Sequence, residues 1–142
     1  MRIYKDNAKE YALKLLKKKN YFIRELYLKL INRYSDEETT SVIKDLIKSD
    51  LLNDKLLMEM KTYFLLHIKL YGRKYIFNYF FSKGLSENLI LFILSKYNET
   101  IFLDNINKIK NDMIKKGRSE EYIFNYLLRK GYSEEEIKRY AN

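Results

Sequence analysis

The sequence contains no cysteine, no proline and no tryptophan, and only four of its 142 residues are glycine. Without cysteine there can be no disulfide framework, no thiolate metal site and no enzyme that uses a cysteine nucleophile. Because proline is absent and glycine is rare, helices in this chain have to end mainly through local capping. The chain is also rich in the helix formers Leu, Lys and Glu. These features predict an all-α fold, and the 46% of hydrophobic residues is enough to form a core.

Long hydrophobic runs are also missing. The longest apolar stretch, 89–94, is far shorter than the roughly 20 residues that a helix needs to cross a bilayer. No apolar leader segment follows Met1. We therefore expect a soluble, unsecreted protein that acts in the cytoplasm as a monomer and does not contact a membrane.

The motifs of common enzyme classes do not occur. There is no glycine-rich phosphate loop, no nucleophile elbow and no His-Glu zinc helix. Glu37 and Glu38 follow Ser35 at the start of a helix, where capping explains them. His67 stands among apolar neighbours with no second histidine, which is typical of a core or edge residue rather than a ligand. The sequence thus predicts a binding module with no enzymatic activity, no cofactor and no metal.

Positive charge is in excess, with 28 Lys and Arg against 19 Asp and Glu, a net charge of +9. Most of the excess lies in residues 1–97, because residues 98–142 carry 9 basic against 8 acidic side chains. Such a surface favours a polyanionic partner, either nucleic acid or an acidic protein face. The alternative is an ordinary solvated surface, since AT-biased coding also raises the lysine content.

A repeated pentapeptide organises the second half of the chain. Residues 75–79 and 122–126 both read Tyr-Ile-Phe-Asn-Tyr, 47 residues apart. Gly-Arg pairs precede the two copies at 72 and 117, 45 residues apart, which predicts an insertion of two residues in the turn. A Lys-Gly pair and a serine follow each copy. Repetition of this kind is typical of stacked helical units.

Apolar periodicity and capping signals predict nine helices in three tandem three-helix repeats, 1–50, 51–97 and 98–142. One repeat buries little by itself, so we expect the repeats to stack into an elongated curved array. Aligning the repeats on Ser35, Ser86 and Ser133 assigns the pentapeptide's Phe and second Tyr to packing. In this alignment three sets of residues are equivalent: Leu26, Phe77 and Phe124; Leu28, Tyr79 and Tyr126; Leu30, Phe81 and Leu128.

The fourth helix, predicted over 54–70, carries an apolar stripe on which His67 also lies. We expect this stripe to be buried; its members are Leu56, Leu57, Met60, Tyr63, Phe64 and Ile68, with Tyr71 at its end.

Several short motifs, in this order and spacing, resemble the RecX family of regulatory proteins. They are Tyr-Ala-Leu-x-Leu-Leu at 11–16, Glu-Leu-x-x-Lys-Leu at 25–30, Leu-x-Asp at 52–54, Lys-Gly-hydrophobic-Ser at 83–86 and Arg-Lys-Gly-Tyr-Ser at 129–133. The resemblance covers nearly the whole chain.

The resemblance implies a curved rod of three-helix repeats that lies in the helical groove of the RecA filament on DNA. There it would hinder strand exchange and the ATPase and co-protease activities of RecA. Two alternatives stay open: a helical array that binds DNA or RNA without RecA, and an adaptor that uses its tyrosine-rich faces. The candidate contacts to RecA and DNA are Lys17, Lys18, Lys19, Arg24, Lys29, Arg33, Lys69, Arg73, Lys74 and Lys83.

Overall fold

The computed structural model describes residues 4–140, which form nine α-helices and no strand. The prediction of an all-α fold is confirmed. Residues 1–3 and 141–142, which the predicted first and third repeats include, lie outside the described residues. The helices are α1 Ala8–Lys18, α2 Ile23–Ile31, α3 Asp36–Lys48, α4 Asp54–Tyr63, α5 Arg73–Ser82, α6 Glu87–Leu94, α7 Glu99–Lys115, α8 Glu120–Arg129 and α9 Glu134–Arg139. A π-helical segment, Phe64–Ile68, continues α4.

Side-chain caps begin most of these helices, which is why their starts were predictable. In each case an Asn or Ser oxygen accepts a hydrogen bond from the backbone N–H three residues later, satisfying one of the free donors of the first turn. At α9 the box is complete: Ser133 Oγ accepts from the Glu136 N–H at 3.0 Å, and Glu136 Oε1 accepts from the Ser133 N–H at 2.9 Å. The caps of this type are Asn7, Ser35, Ser86, Asn98, Ser119 and Ser133.

The chain divides between Met58 and Glu59 into two compact units. In the first unit α1, α2 and α3 pack against one another around a core to which Ala12, Leu26 and Leu46 belong. In the second unit α5 packs on α6, and α8 packs on both α7 and α9. The three repeats at 1–50, 51–97 and 98–142, and the curved array, stay predictions.

Burial corrects the alignment of the repeats by one position. The buried pair of α2 is Leu26 and Leu30, and the corresponding buried pairs are Ile76 and Phe80 in α5 and Ile123 and Leu127 in α8. The pentapeptide therefore buries its isoleucine, while its Phe and second Tyr are half-buried. The predicted equivalences of Leu26 with Phe77 and Phe124, of Leu28 with Tyr79 and Tyr126, and of Leu30 with Phe81 and Leu128 are wrong.

The alignment shifts by one position because the turn between the last buried residue and the capping serine is one residue shorter after α2 than after α8. There the Tyr34 N–H donates to the Leu30 carbonyl, closing a plain helical turn at 2.9 Å. After α8 the Tyr132 N–H donates one residue further back, to Leu127, across Gly131 at a positive φ of 100°. Only the longer turn needs glycine.

Gly72 and Gly117 are not equivalent, although each precedes an arginine. Gly72 is the N-cap of α5, and the N-cap of α8 is Ser119, 47 residues later, which is also the spacing of the pentapeptides. Gly117 instead follows the end of α7 with a φ of +76°. The predicted insertion of two residues is therefore wrong, since the spacing of 45 arose from pairing glycines with different roles.

The helical face that α4 buries is the opposite of the predicted one. Met58, Thr62 and Leu66 are each 0% exposed, and Leu57 and Leu65 are also buried. Of the predicted stripe only Leu57 is buried, and Tyr71 is half-buried. The other members lie on the surface and are between 44% and 61% exposed: Leu56, Met60, Tyr63, Phe64 and Ile68.

Two methionines on opposite faces of α4 test this assignment. Met58→Ala should lower the free energy of unfolding by about 2–5 kcal/mol, because it leaves a cavity at a fully buried position. Met60→Ala should change it by less than about 0.5 kcal/mol, since Met60 is 53% exposed. Urea denaturation of both variants measures the difference, and equal losses would contradict the buried face described here.

In the second unit two glycines meet where the start of α5 contacts the turn between α8 and α9. The Gly72 N–H donates to the Lys130 carbonyl at 2.8 Å, and the Lys74 N–H donates to the Gly131 carbonyl at 3.1 Å. A Cβ on Gly72 would lie 2.4 Å from the Gly131 oxygen, and one on Gly131 would lie 2.5 Å from the Tyr75 nitrogen. We call this contact the glycine clasp, since only glycine fits at both positions.

Side chains on both sides of the clasp reinforce it. The Tyr132 hydroxyl donates to the Leu70 carbonyl at 2.7 Å, and burial raises the pKa of Tyr132 well above its usual range. Leu70 has a φ of +59°, a left-handed conformation that is rare for a leucine. The Asn105 amide donates to the Leu66 carbonyl in the π-helical segment at 2.8 Å. The irregular end of α4 is thus bound by α7 and by the turn after α8.

Candidate functional site

The first group of predicted cations lies at the end of α1. Lys17 and Lys18 occupy its last turn and are exposed, where their charge complements the helix dipole. Within residues 4–140 neither side chain has an ion pair, hydrogen bond or ring contact. Lys19 differs, because its ammonium is 4.0 Å from Glu25 Oε2 and 4.5 Å from the centroid of the Tyr21 ring.

Helix α2 and the turn that follows it contribute three further candidates. Arg24 and Lys29 are exposed and, in the described part of the chain, have no partner. Lys29 and Lys19 line one shallow groove of about 320 Å³. The Arg33 guanidinium instead lies 3.9 Å from the centroid of the Tyr11 ring and 4.5 Å from that of Tyr4. This geometry gives Arg33 a packing role through cation–π contacts.

In the second unit, the side chain of Arg73 already has two partners. Its Nη1 atom is 3.2 Å from Glu136 Oε2, and its guanidinium lies 4.0 Å from the centroid of the Phe102 ring. Arg73 thus connects α5 to α7 and α9. The exposed Lys74 beside it has no side-chain partner among the described residues, so it keeps its charge available for a ligand.

The two remaining candidates lie near aromatic rings. The Lys69 ammonium is 5.7 Å from the centroid of the Phe64 ring, and that of Lys83 is 5.5 Å from the centroid of Tyr79. The structure therefore leaves five of the ten predicted side chains free of partners within residues 4–140: Lys17, Lys18, Arg24, Lys29 and Lys74. One groove is lined by both Lys19 and Lys29, and another by both Arg73 and Lys74.

Sequence reasoning missed Lys130, which it treated only as the residue before a capping glycine. The Lys130 ammonium donates to the Lys69 carbonyl at 2.7 Å and lies 4.3 Å from the centroid of the Tyr71 ring. Burial, and then the charge of Lys69, lower the pKa of Lys130. The Tyr71 ring stacks on that of Tyr75 at 3.6 Å, and a hydrogen bond that the Tyr75 hydroxyl donates to Tyr71, together with burial, raises the pKa of Tyr75.

An aromatic surface was missed as well, because two of its residues, Tyr63 and His67, lie on the stripe that was predicted to be buried. The Tyr63 and His67 rings lie 4.6 Å apart, and His67 and Tyr97 meet edge to face at 6.4 Å. Tyr97 also lines a groove of about 520 Å³ between α5 and α6. The only signal in the sequence was that both faces of α4 are apolar, so that one of them had to be exposed.

Within residues 4–140, no three His, Cys, Asp or Glu side chains are grouped so that they could hold a metal ion. No helix in that range is both long enough and apolar enough to span a bilayer. What the described surface offers is a set of free cations and an exposed aromatic surface, both suited to binding another macromolecule.

The fold is similar to that of two solved structures. The crystal structure of RecX from Lactobacillus salivarius matches with a TM-score of 0.77 and 23% sequence identity, over 94% of this chain and 92% of that one. A crystal structure of regulatory protein RecX matches with a TM-score of 0.79 and 17% identity, over 94% of this chain and 70% of that one. No protein-family model and no curated protein matches the sequence. The predicted resemblance to RecX is confirmed for the fold.

Proposed function

We propose that this chain is a regulatory protein that binds the RecA filament on DNA and lowers the recombinase, ATPase and co-protease activities of RecA. The observation that carries the proposal is the shared fold with two RecX structures over 94% of the chain. The order and spacing of the short motifs, from 11–16 to 129–133, support the same assignment.

The chain would act by binding rather than by catalysis. Free, exposed cations suit the DNA phosphates and acidic protein surface of a nucleoprotein filament. In the first unit these are Lys17, Lys18, Arg24 and Lys29. We place this activity in the cytoplasm and expect the chain to act as a monomer.

A titration of RecA's DNA-dependent ATP hydrolysis tests the proposal. The purified chain should suppress hydrolysis at well below one molecule per nucleotide, because a protein bound in the filament groove would affect several RecA subunits at once. Unchanged hydrolysis at excess protein would rule the proposal out.

The free cations also suit the alternative function, binding of DNA or RNA without RecA. Fluorescence anisotropy with labelled single-stranded DNA at several salt concentrations separates the two functions. A RecA modulator should bind free DNA weakly at physiological salt. Tight binding that falls steeply with salt, without any effect on ATP hydrolysis, would favour the alternative.

A further inference from the structure

The groove between α5 and α6 is apolar at its base and cationic at one edge. Its volume is about 520 Å³, and among the residues that line it are Lys74, Phe77, Asn78, Leu91, Leu94 and Tyr97. We call it the α5–α6 groove. Its edge carries one free charge, Lys74, because the other cation there, Arg73, is paired with Glu136.

Exposed rings extend this apolar surface at both ends. At one end Phe77 stacks against Phe81 with the ring centroids 5.9 Å apart, and Phe81 is 58% exposed. At the other end Tyr97 contacts His67, which in turn contacts Tyr63. Large exposed apolar patches with a polar edge mark interaction sites, and aromatic side chains are enriched at the centres of protein interfaces.

We infer that the α5–α6 groove binds an acidic segment of a partner protein, with an apolar side chain inserted between Phe77 and Leu91 and a carboxylate paired with Lys74. This inference rests on the proposed function, under which the partner protein is RecA. It assigns to this surface a contact with protein rather than with DNA.

Charge complementarity selects this partner. Residues 59–97, the part of the second unit that contains the groove, carry six Lys and Arg against two Asp and Glu, so an acidic segment would be attracted to the surface. A second copy of the chain does not fit, because a symmetric contact would place Lys74 against the same positive surface of its partner.

Nucleic acid fits the groove less well than a protein segment does. Binding of a single strand needs a row of cations that follows the phosphates, together with ring faces on which bases stack. Within the described residues the edge of the groove offers a single free cation, and two of its base residues, Leu91 and Leu94, are aliphatic. The groove thus offers one positive charge next to an aliphatic surface. This arrangement suits a protein segment that has one carboxylate next to one apolar side chain.

Two charge changes in the groove test the inference. The double variant Leu91→Glu and Lys74→Glu should weaken binding to RecA filaments on poly(dT) at least tenfold, because it places negative charge where the acidic segment would bind. Binding to free poly(dT) should fall equally in this variant and in the control variant described below, because both make the same change of net charge. Leu91 is 49% exposed, so the variant should unfold at the same temperature as the wild type.

The matched control is the double variant Leu128→Glu and Lys108→Glu, which makes the same chemical changes on exposed residues outside the groove. It should bind filaments within twofold of the wild type. Equal loss in both variants would overturn the inference and leave the proposed function standing. Failure of the wild type to bind filaments at all would overturn both.

Photo-crosslinking identifies the molecule in the groove. With p-benzoylphenylalanine at position 91, irradiation of filament complexes should give an adduct with RecA protein, and the same group at position 128 should give none. An adduct with the DNA strand, or with a second copy of the chain, would overturn the inference.

Discussion

Gly131→Ala should destabilise the second unit by about 3 kcal/mol or more. Two physical effects add at this position. A φ of +100° is unfavourable for any residue with a Cβ, typically by about 1–2 kcal/mol. The new Cβ would also lie 2.5 Å from the Tyr75 nitrogen, and overpacking of this kind costs about 1–3 kcal/mol. Because the obstructing atom belongs to the backbone, a change of rotamer cannot relieve the contact.

Two other glycines separate these effects. Gly117 has a positive φ of 76°, but a Cβ at this position would have no heavy atom within 4 Å, so Gly117→Ala should lose only about 1 kcal/mol. Gly72 has an ordinary φ of −81°, yet its Cβ would lie 2.4 Å from the Gly131 oxygen. Gly72→Ala should therefore lose about 3 kcal/mol through overpacking alone.

Chemical denaturation of the three variants measures these losses. If Gly72→Ala and Gly117→Ala had the same free energy of unfolding, the start of α5 would not contact the turn after α8 in the way described. If only Gly131→Ala lost stability, the left-handed backbone conformation of Gly131, rather than the glycine clasp, would account for the loss.

Replacing the four free cations of the first unit with glutamine should reduce binding to RecA filaments at least tenfold. The variant combines Lys17→Gln, Lys18→Gln, Arg24→Gln and Lys29→Gln, none of which has a side-chain partner within residues 4–140. If the cations contact DNA phosphates, the slope of log affinity against log salt concentration should become less steep by about 0.7–0.9 for each contact removed. ATP hydrolysis by RecA should then need correspondingly more protein to be suppressed.

A charge-matched control separates local contact from net charge. Replacing Lys44, Lys48, Lys108 and Lys115 with glutamine removes the same four charges from exposed positions outside the candidate contacts. This control should keep filament binding within about threefold of the wild type. An equal loss in both quadruple variants would mean that overall charge, and not the surface of α1 and α2, determines affinity.

Of the ten side chains predicted to contact RecA or DNA, some have partners within residues 4–140 and others have none. Lys17 and Arg33 look alike in the sequence, since each is a cation near the end of a helix. The Arg33 guanidinium lies over two tyrosine rings, whereas Lys17 has no partner in the described part of the chain. Composition and periodicity cannot show this difference, because the tyrosine Tyr4 is 29 residues from Arg33 along the chain.

The sequence by itself determined the helices and most of their starts, whereas the fourth helix, predicted over 54–70, ends as an α-helix at Tyr63 and continues as a π-helical segment. A cap acts on the N–H groups of its own first turn, and a C-terminal glycine acts on the turn that precedes it, so both signals are local. Ser133 with Glu136 is an example in which the predicted capping box is present in the structure. The all-α fold follows from such local signals together with the absence of proline.

Only the tertiary structure decided which face of α4 is buried and which glycines have to be glycine. Both faces of α4 are apolar, so the choice between Met58 and Met60 depends on what packs against the helix, not on its own periodicity. Gly72 and Gly131 are 59 residues apart in the sequence, and their backbones meet only in the folded second unit. Contacts between distant segments leave no local pattern, and they determine both the stability of this unit and the surface left exposed for a partner.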